Sequence, residues 1–195
     1  MDLGLTLEQY ALLNVIWAGT IILLEIPSGA LADVIGRKRV VVLASLLMVA
    51  EMVVFAFAPR GDWMFWFLVL NRLLTDAAEA CASGADEALA YDSLSEDNRH
   101  STWPRVLESL MRWKSAGFFI AMVAGAALFD ANLVTSLTEW TGWEPAEGDT
   151  VRWPVYATLA TSLLCLAVAI NFRESPRQTP DDRNALRHAW NNILE

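Results

Sequence analysis

The sequence predicts an all-α protein that crosses a membrane five times, and three observations carry that prediction. Hydrophobic residues make up 55% of the 195 positions, and the mean hydropathy is +0.34, high for a soluble domain of this length. The apolar residues are bunched into runs at about 11–33, 40–58, 64–92, 105–133 and 153–172. Each run is long enough to cross a hydrocarbon core of about 30 Å, which takes about 20 helical residues. The cations, finally, are segregated: threading the five runs through a membrane leaves 11 of the 14 Lys and Arg on one side.

Helices are the expected element because lipid offers no partner for open backbone groups. The first run has no cationic leader and continues past Ser28-Gly29-Ala30 into a charged turn, which argues against a cleaved signal peptide. The alternative is a large soluble helical bundle. The cation-rich side holds Arg37, Lys38, Arg39, Arg99, Arg105, Arg112, Lys114, Arg173, Arg177, Arg183 and Arg187, and the positive-inside rule places it in the cytoplasm. Residues 134–152 carry Glu139, Glu144, Glu147 and Asp149 instead, as an external loop can. Trp63, Trp66, Trp140, Trp143 and Trp153 gather at the outer ends, where amphipathic rings prefer to sit.

The first run ends at Asp33, a tight turn follows at Gly36, and three consecutive cations precede the second run. Glu25, Gly29 and Asp33 share one helical face at spacings of four, so Glu25 can look into a cavity. The string Gly29, Leu31, Ala32, Asp33, Gly36, Arg37, Lys38 fills every fixed position of G-x-L-A-D-x-x-G-R-K. It resembles the signature between the second and third helices of major facilitator superfamily transporters. Glu51, a lone acid in the second run, reads as structural or interfacial.

The third run carries Arg72, Asp76, Glu79, Ser83 and Asp86, separated by 4, 3, 4 and 3. On an unbroken helix that spacing makes one stripe. Four ionised side chains facing lipid would oppose insertion by roughly 10 kcal/mol, so the stripe must face a wet cavity or pair internally, Arg72 with Asp76 one turn away. One reading locks the bundle through these groups; the other makes them a substrate- or proton-coupling face. A carboxyl held in a dry site can exchange a proton near neutral pH. The run closes on Ser83-Gly84-Ala85-Asp86-Glu87-Ala88-Leu89-Ala90-Tyr91-Asp92-Ser93-Leu94, which resembles a string found in a bacterial branch of the same superfamily. The resemblance implies that Arg37 pairs with Asp92 and that Asp33 caps a helix of the opposite half. Gly29 then serves close packing, and the set Gly29, Asp33, Gly36, Arg37, Lys38 and Asp92 forms a conformational latch.

In the fourth run Gly117, Ala121 and Gly125 form a small-residue ladder that lets helices approach. The proline and paired glycines of the family's antiporters are lacking at Ala121, Gly125 and Ala126. Cys81 and Cys165 fall in apolar runs and read as small buried hydrophobes. His100 and His188 lie in charged stretches without ligand spacing and read as solvated. No G-x-x-x-x-G-K is present, no metal or cofactor is implied, and the chain reads as no enzyme. The net charge of −9 argues against nucleic acid as a partner.

Facilitator proteins have two six-helix halves. If the signature turn joins helices two and three, residues 1–172 are helices two to six of an N-terminal bundle, and residues 173–195 begin the central cytoplasmic loop. Leu186, Trp190 and Ile193 would share one helical face there. The resemblance thus implies a fragment of a multi-pass carrier of the cytoplasmic membrane. It would move a small solute by alternating access, coupled to protons. The partners would be the bilayer, the solute and a C-terminal half outside this chain, with Glu25, Arg72, Asp76, Glu79 and Asp86 as coupling candidates. The rivals are a non-transporting scaffold or assembly subunit, for which a charged stripe has little use, and a multi-copy pore, which a stripe of mixed sign fits poorly.

Overall fold

α1 (Leu7–Ile35) opens on a capping box: the Thr6 hydroxyl accepts from the Gln9 N–H, and the Gln9 side chain accepts from the Thr6 N–H. The computed structural model that contains it describes residues 5–59, 61, 63–138 and 152–173. Pro27 lies inside α1 and removes one ladder donor. The helix nevertheless continues to Ile35, two residues past the end expected at Asp33.

One residue separates α1 from α2 (Arg37–Ala56). Gly36 stands at φ 107°, ψ 141°, a conformation essentially reserved for glycine. Its N–H donates to the Ala32 carbonyl at 3.2 Å, and its carbonyl accepts from Val40 N–H at 3.2 Å. Arg37, Lys38 and Arg39 therefore form the first turn of α2 and not a loop, because a single glycine suffices to reverse the chain.

The expected run 64–92 is two helices, α3 (Met64–Ala82) and α4 (Ala85–Asp92). Ser83 terminates α3, and Gly84 at φ 75° redirects the chain. α3 packs against both α1 and α2, and α4 against α2. The core is built from Ala32, Val40, Val41, Ala44, Cys81, Ala85, Leu89 and Ala169. Small side chains dominate it, which brings the backbones close and replaces bulk by contact area.

The chain divides into two units, residues 1–93 with 162–195, and residues 94–161. In the second, a 3-10 turn (Glu96–Asn98) leads into α5 (Arg99–Phe129), along which Arg112 and Glu108 form an exposed i, i+4 ion pair at 2.6 Å. α5 ends earlier than the expected 133. Asp130 turns the chain and accepts from the N–H groups of Asn132 and Leu133 at 2.9 and 3.3 Å, starting α6 (Ala131–Thr138). α7 (Trp153–Asn171) begins in this unit, and its second half, from Ser162, belongs to the first.

Among the described residues, α1, α2 and α7 are long and apolar enough to cross a membrane. One expectation is corrected. Cys165 is exposed, 3.9 Å from Ser45 Oγ, whereas Cys81 is buried as expected. His188, Trp140, Trp143, the acids of 139–149 and the amphipathic stretch 183–194 lie outside the described residues.

Candidate functional site

The glycine turn delivers Arg37, the first residue of α2, to Asp92, the last residue of α4. Arg37 Nη1 donates to Asp92 Oδ2 and, at 3.1 Å, to the Ala88 carbonyl. Both side chains are 33% exposed, so water still reaches the pair. The guanidinium thereby engages two groups of α4, one a carbonyl of its last turn and one its terminal carboxylate. A cation is favoured at that helix end, and the charge-assisted bond is directional. Lys38 is half-buried and Arg39 exposed, and neither has an ion-pair partner among the described residues.

Glu25, Gly29 and Asp33 do lie on one face of α1, and all three are exposed. Gly29, expected in a close packing contact, makes none within the described residues: a Cβ added there would meet nothing within 4 Å. The face points away from the helices on which α1 packs.

The stripe of the third run is not a single surface. Asp76 is fully buried, and neither carboxyl oxygen has a hydrogen-bond partner among the described residues. Arg72 is half-buried and makes no hydrogen bond to it; Glu79 and Ser83 are exposed. Residues three apart on a helix point about 60° apart, enough to put Asp76 inside and Glu79 outside at the edge of a packed face. Asp86 lies beyond the Gly84 break, where its Oδ1 accepts from the Glu87 N–H at 2.8 Å. It lines a recess of about 250 Å³ with Leu89, Ala90, Ser93, Phe172 and Arg173. The charged groups whose fields reach Asp76 are Arg72, Glu79 and Glu51.

Glu51 enters this neighbourhood from α2. It is 7% exposed and accepts from the Thr75 hydroxyl, while its backbone carbonyl accepts from Asn71 Nδ2 at 2.9 Å. Thr75 Oγ1 also lies 2.9 Å from the Asn71 carbonyl, so its one proton serves two acceptors. Asn71 and Thr75 escaped the sequence reading, although their polarity and i, i+4 spacing in an apolar run were a signal. Glu51 and Asp76 thus place two buried carboxyls at the α2–α3 contact, beside one arginine. Buried charge of this kind is costly unless matched, and it marks function more often than packing.

A search of curated proteins returns no match. The model of the Major Facilitator Superfamily matches residues 1–194. With apolar helices of spanning length and the Gly36 turn between two of them, the chain belongs to the Major Facilitator Superfamily.

Proposed function

We propose that this chain provides five spans, helices two to six, of the N-terminal bundle of a proton-coupled secondary transporter in the cytoplasmic membrane. As a transporter of the major facilitator type it acts in a membrane on a small solute. Transport proceeds by alternating access, one half rocking against the other about a site near the midplane. The observation that carries the reading is the Arg37–Asp92 pair, held between the first turn of α2 and the end of α4. In the proposed cycle it forms part of a latch on the cytoplasmic side, closed when the cavity opens outward and broken when it opens inward. The exposed face of Glu25, Gly29 and Asp33 is available to the opposite half, where Asp33 caps a helix.

Coupling is assigned to the carboxyl of Asp76, with Arg72 as its charge partner and Glu79 at the edge of the wet cavity. The burial of Asp76 without a hydrogen-bond partner supports this role, because a carboxyl held in no fixed bond among the described residues is available to take up and release a proton as the cavity opens. Glu25 and Asp86 serve solute contact on α1 and α4. The test is pH-gradient-driven solute flux into proteoliposomes holding the complete transporter, with Asp76→Asn and Glu79→Gln beside wild type. Flux lost in Asp76→Asn, with folding intact, is the expected result. Flux unchanged in both variants makes the α3 charges structural and moves coupling to Glu25.

A further inference from the structure

A second feature of the signature turn involves neither Arg37 nor Asp92. Val34, Ile35, Gly36, Lys38, Arg39, Val42 and Ile170 line an open recess of about 700 Å³. Among the described residues no acid lines it, and Asp33, the nearest acid in sequence, is not among its walls. Its two cations are the ones the fold leaves unmatched: Arg37 is engaged by Asp92, whereas Lys38 and Arg39 have no ion-pair partner among the described residues. The first turn of α2 also contains no acidic side chain. Lys38 and Arg39 sit where the helix already presents its positive end, so among the described residues the site is short of negative charge. The remaining walls are aliphatic, and two of them, Val34 and Ile170, are 45% and 54% exposed.

We propose that this recess binds an anionic phospholipid of the leaflet that bathes the signature turn. The phosphate lies between Lys38 and Arg39, and the acyl chains run along Val34 and Ile170. A soluble anion would satisfy the cations and leave the apolar walls bare; a neutral lipid would do the reverse. An anionic amphiphile matches both, and basic recesses between spanning helices are suited to anionic headgroups. This site stands apart from the Arg37–Asp92 pair and does not require that pair to be a latch.

The test is lipid retention by the purified 195-residue chain in detergent, read by native mass spectrometry against phosphatidylglycerol and phosphatidylcholine titrations. Wild type is expected to retain one phosphatidylglycerol at concentrations where phosphatidylcholine is lost. Lys38→Gln with Arg39→Gln is expected to weaken retention by roughly 30-fold, whereas Lys38→Arg with Arg39→Lys retains it. Arg112→Gln, which removes a cation from α5, leaves it unchanged. Ile170→Trp fills the recess while keeping both cations, and it is expected to lower retention even if the double glutamine variant fails to fold. Equal retention of phosphatidylcholine, wild-type retention in Ile170→Trp, or an effect of Arg112→Gln as large as that of the double variant overturns the proposal. Displacement by glycerol 3-phosphate at equal concentration overturns it too, making the occupant a free phosphate.

Discussion

Arg37 and Asp92, 55 positions apart in sequence, are brought together by two short devices: a one-residue turn before α2 and a glycine break before α4. The turn decides where the guanidinium starts, and the break decides where α4 ends. Neither depends on a long loop, so the geometry of the pair is set by backbone conformation more than by side-chain reach.

Because each partner is one-third exposed, the pair contributes modestly to stability, by about 1 kcal/mol or less. Arg37→Ala and Asp92→Asn should each lower the thermal midpoint of the chain in detergent, Arg37→Ala more, since it also loses the bond to Ala88. A double-mutant cycle isolates the pair. A coupling energy indistinguishable from zero would mean that the contact adds nothing to folding.

Two glycines of the signature should behave oppositely. Gly36→Ala forces a side chain into a conformation that costs about 1–3 kcal/mol and should destabilise the chain accordingly. Gly29→Ala adds a Cβ to open space within a helix and should be neutral or stabilising by about 0.5–1 kcal/mol. Equilibrium unfolding of both variants checks this. In the complete transporter, Gly29→Ala should impair turnover if the opposite half packs on that face.

Asp76→Asn should leave stability unchanged or raise it, since an ionisable group without a hydrogen-bond partner is replaced by a neutral one of the same shape. Glu79→Gln, on an exposed position, should fall within about 0.5 kcal/mol of wild type. Loss of more than that in Asp76→Asn, measured by unfolding in detergent, would reveal a partner for the carboxyl that lies outside the described residues.

Glu51→Ala should cost about 1–3 kcal/mol, because it opens a cavity at the α2–α3 contact and removes an acceptor from Thr75. Glu51→Gln keeps the carbonyl acceptor and should recover most of that loss. Equal destabilisation by the two would show that the charge, not the hydrogen bond, holds the helices together.

Much of this was legible in the residues. Gly36 followed by Arg37, Lys38 and Arg39 announced a reversal between two apolar helices, and the resemblance of the string Ser83 to Leu94 implied Asp92 as the partner of Arg37. The break at Ser83-Gly84 was hidden by a pattern of spacings that continues smoothly across it. Periodicity counts residues and does not register a glycine at positive φ, so Asp86 fell onto a stripe it does not share. The opposite fates of Asp76 and Glu79 were hidden for another reason: a 60° difference decides burial only once the neighbouring helix is in place. The cations fell inside α2 because one glycine suffices to reverse the chain, and solvent screens their repulsion from the helix's positive end.

The single-residue joint at Gly36 also bears on biogenesis. With the backbone ladder passing from Ala32 to Gly36 and on to Val40, there is no tether in which one segment could reorient while its neighbour stays put. In the proposed topology α1 and α2 therefore enter the bilayer as a hairpin, and the three cations at its tip hold that tip on the side of synthesis.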